Sequence, residues 1–271
     1  GGWPGSNPKD AEFFSRIREQ NLGSSTIVAF GATRRANISV EQDPQIQALL
    51  DAETEIITLV GKSSAMQVRS VLETTPEENL DMIADSVSYL ISKGRRVIFD
   101  AEHFFDGFKD NPDYAIKTVQ AAQMAGAECV VLCDTNGGCL PNEISDIIVQ
   151  LRKSTDAELG IHVHNDADMA VANSLMAITC GVTQVQGTIN GYGERCGNAN
   201  LISIIANLKI KMGIDCVSDG QLSRLTDVSR YVSELVNRPL NHYQPYVGIS
   251  SFSHKGGMHV AAINKLEESY Q

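Results

Sequence analysis

The chain has 271 residues, 42% hydrophobic and 20% charged, a balance that suits a globular protein with room for one large α/β domain or two ordinary ones. Thirty-three acidic against 22 basic residues leave a net charge of −11, which argues against nucleic acid or an anionic membrane surface as partner, although a local basic pocket for a phosphorylated cofactor is still compatible. No apolar run approaches the roughly 20 residues of a membrane span.

The opening stretch Gly1–Pro8 is turn-rich, lacks an initiator methionine and is unlike a signal peptide. It implies a chain cut short at its start. Short β-branched runs follow at Thr26–Phe30, Ile56–Val60, Val97–Phe99, Cys129–Cys133, Leu159–His164 and Gln184–Gly187, spaced roughly as βα units are. Between them Glu77–Ser92 sets Leu80, Ile83, Ala84, Val87, Leu90 and Ile91 at helical spacing. Tyr114–Ala125, Asn142–Leu151, Met169–Cys180 and Asn200–Met212 read the same way. The runs are apolar nearly throughout, as strands of a parallel sheet covered on both faces are.

Such alternation fits a doubly wound sheet or a (β/α)8 barrel. Chemically able residues follow nearly every strand: Asp100 and Glu102, Asp134 and Thr135, His162 and His164, Thr188 and Asn190. A barrel assembles its site from many strand ends, whereas an open sheet concentrates it at one switch point. The expectation is a (β/α)8 TIM barrel lacking its first strand or strands, over residues 1–213, with a seventh strand position implied at the turn Gly1–Asn7. After Gly213 the rhythm stops. Ser223–Asn237 reads as one helix, and residues 214–271 as a linker opening a helical accessory subdomain that is cut off at Gln271. The six cysteines have no CxxC spacing and read as reduced, mostly buried thiols of a cytoplasmic protein.

The sharpest local signal is Gly160-Ile161-His162-Val163-His164-Asn165-Asp166. Strand side chains alternate, so His162 and His164 share a face about 7 Å apart along the strand, a half-site for a divalent metal. The blander reading is two polar residues capping a strand. Beyond the next strand comes Asn190–Asn198, NGYGERCGN, whose Gly191, Gly193 and Gly197 would let backbone approach a cofactor closely. Asn198 would offer a neutral oxygen to the same metal. The blander reading there is a glycine-rich loop with an internal Glu194–Arg195 ion pair.

HVHND followed by NGYGERCGN resembles the signature of the DRE-TIM metallolyase family in its acyltransferase branch, which holds isopropylmalate, homocitrate and citramalate synthases. GGWPGSNPKDAEFF, AFGATRR, LCDTNGG and FSHKGGMH are most similar to the citramalate synthase group of that branch. The resemblance implies Claisen-type condensation of acetyl-CoA with a 2-oxo acid, followed by thioester hydrolysis. It implies His162, His164 and Asn198 as ligands of Mn, Mg, Zn or Co, and Thr135 as binder of the oxo-acid carboxylate. Glu102 matches the family's catalytic glutamate, with Asp100 as a rival two residues earlier. His259 matches a catalytic histidine that reaches a neighbouring subunit's site in a homodimer and works there with the glutamate, His254 and His103 being weaker rivals. Arg34 and Arg35 read as cofactor-phosphate contacts or as a solvated loop. The family's Arg-Asp-Gly motif, whose aspartate completes the metal site, is absent from the sequence, so the chain as it stands is expected to bind metal poorly and not turn over. The isopropylmalate and homocitrate reactions, and cleavage by a hydroxymethylglutaryl-CoA-type lyase, stay open as alternatives.

Overall fold

The computed structural model describes residues 2–266. Its core is six strands, β1 (Val28–Ala32), β2 (Ile56–Lys62), β3 (Arg96–Glu102), β4 (Cys129–Asp134), β5 (Leu159–Val163) and β6 (Gln184–Gln186). They form one sheet in sequence order, and every neighbouring pair is parallel. A doubly wound sheet would reverse its order at a switch point, and this one does not. Gly2 pairs in parallel with Ala29, and the Phe30 amide donates to its carbonyl at 2.8 Å, marking a further strand position beside β1.

The sheet is curled. In a flat sheet β3 and β6, three strand spacings apart, would be about 14 Å from each other. Instead Gln186 Nε2 of β6 donates to Asp100 Oδ1 of β3 at 2.8 Å, so the strands wrap a common interior. Ile98, Cys129, Val131 and Cys133 line that interior, with Ile56 packed against them. At Gly160 a Cβ would stand 2.8 Å from Val131 Cγ2, so the fold keeps this inward position bare. The chain is a partial (β/α)8 barrel.

Helices connect and follow the strands along the chain. In order they are α1 (Pro8–Ile17), α2 (Pro44–Asp51), α3 (Ala65–Ser70), α4 (Pro76–Ser92), α5 (Phe104–Asp110), α6 (Pro112–Met124), α7 (Pro141–Leu151), α8 (Ala170–Thr179), α9 (Leu201–Ala206), α10 (Asp219–Leu222), α11 (Leu225–Leu235) and α12 (Gly257–Lys265). Four of the starts are built alike: Asn7, Asp43, Thr75 and Asn111 each accept a first-turn amide, and a proline follows where the helix needs no N–H. None of the described helices is long and apolar enough to cross a membrane.

Two compact units emerge. One holds the chain as far as Gly187 together with Gly193–Ala199; the other holds Thr188–Tyr192 and the chain from Asn200 on. The helix expected over Asn200–Met212 is α9 followed by a π-helical turn, Asn207–Lys211. The Asn207 side chain donates to Ser203 O and accepts from Tyr246 Oη there, a side-chain insertion of the kind that loosens a helical ladder. FSHKGGMH, which fits no βα unit, runs into α12, none of whose residues is buried.

Candidate active site

Because all six strands are parallel, their C-terminal ends meet along one edge. The register places Lys62 beside Glu102 on β2 and β3, and Cys133, His162 and Gln186 in one row across β4 to β6. Glu102 is thereby brought to the edge that carries the histidines. Its carboxylate meets Lys62 Nζ at 2.6 Å with both side chains largely buried. It does not cap α5; His103 takes that position, in the left-handed region. Asp100 lies deeper, 5% exposed, and burial pushes its carboxyl up to about 7 against the Gln186 hydrogen bond.

The rings of His162 and His164 stand edge-to-face with centroids 5.1 Å apart. His162 Nδ1 meets Gln186 Oε1 at 2.9 Å, and His164 Nδ1 meets the Thr135 carbonyl at 2.7 Å. Both partners are acceptors, so both Nδ1 atoms carry hydrogen and both Nε2 atoms keep their lone pairs. Burial lowers the His162 pKa, favouring the neutral ring, and its side chain also hydrogen bonds Asn198. Neutral imidazoles with Nδ1–H held by an oxygen are the form that binds divalent metals. The pair fits a metal as half a site: among the described residues no group of three His, Cys, Asp or Glu is assembled to hold one.

The loops after β4, β5 and β6 are tied together around these rings. Arg195 donates to both oxygens of Asp166, at 2.8 and 2.9 Å, and to the Thr135 carbonyl at 2.8 Å. The anticipated Glu194–Arg195 pair is only a looser contact at 3.8 Å, because Asp166 offers the guanidinium a bidentate partner. A Cβ on Gly137 would lie 2.7 Å from Asp166 Oδ2 and from the His164 carbonyl, so DTNGG needs glycine where the HVHND loop crosses it. What approaches Gly193 is Asn198, whose Nδ2 would lie 1.9 Å from an added Cβ. Gly197 and Gly191 both take positive φ, Gly191 within the second unit. Thr135 Oγ1 accepts the His103 amide at 2.8 Å, which leaves its own O–H to donate.

Other expectations need correction. Arg34 is neither a phosphate contact nor solvated: it is 6% exposed and paired with Glu78 at 2.7 Å and Asp85 at 2.8 Å, so its charge is already spent inside the fold. Arg35 is exposed and lines a cleft of about 570 Å³ shared with Trp3, Phe30, Lys62 and Glu102. Three of the six free cysteines are buried, Cys129, Cys133 and Cys139, while Cys196 and Cys216 are exposed on loops where the apolar-run argument had no hold. His103 Nδ1 faces Asp106 at 3.5 Å. His259 and His254 belong to the second unit, both exposed, with ring centroids 6.3 Å apart. Lys62 and Gln186 went unremarked in the sequence. Each had a signal: a lysine ending an apolar run, and glutamines at alternate positions of a half-buried strand.

A partial parallel barrel with its polar residues at the strand ends places a site where such barrels carry theirs, and the chain belongs to the HMGL-like family, which it matches over residues 2–232. Among named relatives it is similar to the (R)-citramalate synthase of Geobacter sulfurreducens, 54% identical over all 271 residues, and to that of Synechocystis sp., 51% identical over 100% of this chain. The chain spans about half the length of these curated relatives, 51% of each. The structure of an HMG-CoA lyase from Acinetobacter baumannii, in complex with coenzyme A and 3-methylmalate, superposes with a TM-score of 0.70 at 17% identity, over 93% of this chain and 83% of that one, a likeness of fold.

Proposed function

We propose that this chain supplies most of the catalytic barrel of an (R)-citramalate synthase, an acyltransferase that condenses acetyl-CoA with pyruvate and hydrolyses the thioester to citramalate and CoA, in isoleucine biosynthesis in the cytoplasm. The observation that carries the choice of reaction is the 54% identity maintained over the whole chain. On this reading His162, His164 and Asn198 hold a divalent metal, with further ligands from residues outside this sequence. A metal bound there supplies Lewis-acid polarisation of the oxo-acid carbonyl.

The remaining work falls to side chains. The Thr135 hydroxyl, its lone pair engaged by the His103 amide, donates to the oxo-acid carboxylate. Glu102 takes a proton from the acetyl methyl, and Lys62, 2.6 Å away, holds the carboxylate in place. The carbanion equivalent attacks the carbonyl carbon, and water then cleaves the thioester. Residues 1–213 form the catalytic part and 214–271 the start of an accessory region. The exposed His259 is read as reaching the site of a second subunit in a homodimer.

The test uses the full-length protein with acetyl-CoA, Mn2+ and pyruvate, 2-oxoisovalerate or 2-oxoglutarate, following thiol release. Fastest release with pyruvate, abolished by His162→Ala, is expected. Preference for 2-oxoisovalerate or 2-oxoglutarate would move the protein to the isopropylmalate or homocitrate reaction. No release with any of the three would overturn the synthase reading.

A further inference from the structure

A polar thread crosses the barrel interior. Asp100 on β3, Gln186 on β6 and His162 on β5 are joined by two hydrogen bonds of 2.8 and 2.9 Å through the concave side of the sheet. From this thread we infer that Gln186 and Asp100 are positioning residues that fix the tautomer of His162, so that Nε2 presents its lone pair to the metal.

The reasoning is one of donors and acceptors. In its ionised form, above about pH 7, the Asp100 carboxylate only accepts, so the amide end of Gln186 that faces it is Nε2. The other end, Oε1, is then obliged to face the histidine, and an amide oxygen only accepts. Nδ1 of His162 must therefore carry the hydrogen. Without Asp100 the Gln186 amide is free to turn over, offering N–H to Nδ1 and driving the hydrogen to Nε2, where it blocks a metal. His164 needs no such device, because its Nδ1 donates to a backbone carbonyl that cannot turn. Maintaining a carboxyl at 5% exposure is costly, and a side chain that merely filled space would be apolar like Ile98 and Val131 beside it. Residues that break the local rule at such cost belong to functional sites more often than to packing.

The inference rests on the metal reading of His162, and the experiment separates the two. At pH 8, where the Asp100 carboxyl is ionised, Co2+ alone is titrated into the full-length apo-protein, following heat and the visible spectrum of the bound ion, with the apo-protein melting temperature as control. Gln186→Leu is expected to weaken Co2+ binding by about 10–100-fold, the usual loss for a partner behind a ligating histidine. Asp100→Asn has the same shape but lets the glutamine take either orientation. It is expected to weaken binding about twofold, since about half the molecules then present the right tautomer, and to leave the apo melting temperature no lower. A purely structural thread gives the opposite pattern: an isosteric Asp100→Asn binds Co2+ like the parent, and Gln186→Leu lowers only the melting temperature. That pattern, with His162→Ala abolishing binding, overturns this inference alone. If His162→Ala binds Co2+ like the parent, the metal reading itself falls and takes the inference with it.

Discussion

The carboxyl of Asp100 titrates where the fold has put it, and its cost can be read from pH. An aspartate in the unfolded chain ionises near pH 4, whereas burial raises Asp100 to about 7 in the barrel. Between those values the native state holds a proton that the unfolded state has released, so stability falls as pH rises through the window and is flat above it. Asp100→Asn removes the term. From pH 5 to pH 8 the parent is expected to lose of the order of 2–3 kcal/mol more stability than the variant, read from urea midpoints by circular dichroism at the two pH values. Parallel curves for the two proteins would mean that the carboxyl is ionised and paid for at pH 5 already. The neighbouring polar contacts obey the opposite economy. Arg195 is 42% exposed at its side chain, so its bonds to Asp166 and the Thr135 carbonyl add little to stability and act by holding three loops around the histidines.

Where α5 meets the end of β2, the fit depends on one missing atom. A Cβ on Gly107 would lie 2.2 Å from the Ser63 carbonyl and 2.8 Å from Ser64 Cα, both backbone, so neither yields by a rotamer change. Gly107→Ala must push the helix off the strand and is expected to cost about 1–3 kcal/mol or more in a urea melt. Gly220→Ala, inside α10 with nothing within 4 Å of the new atom, is the control and should be neutral or slightly stabilising. The strands were legible because a parallel sheet needs apolar residues on both faces, and each run extended to within a few residues of its strand. HVHND and DTNGG were legible because strand alternation places their side chains. α2, α3 and α5 escaped periodicity since they are only six to eight residues long, and the ten-residue α1 was missed with them, yet Asn7-Pro8 and Asp43-Pro44 announce the starts of α1 and α2 by cap chemistry alone. Arg34 was misread for a different reason: two adjacent arginines look alike in sequence, and only the placement of Glu78 and Asp85 on α4 decides which is buried.

Over the whole molecule, burial is distributed so unevenly that local stability should differ between segments. All six residues of β4 are buried, and so are five of the seven in β3. By contrast α11 buries only Ser229 and Ser233, and α12 buries nothing. The free energy of local opening follows buried apolar contact, ranging from near zero for exposed helices to the global value in core strands. Native-state hydrogen exchange read by NMR or mass spectrometry is therefore expected to show β2 to β5 exchanging only through global unfolding. The amides of Gly257–Lys265 should exchange close to their intrinsic rates, and those of α11 should fall between. The apolar side chains that α12 exposes, Met258 at 83% and Val260 at 40%, make the outcome informative either way. Fast exchange at all concentrations would confirm that a single chain leaves this helix without packing support. Protection of α12 that grows with protein concentration would show a second copy covering it, which is the arrangement His259 needs if it is to serve a neighbouring site.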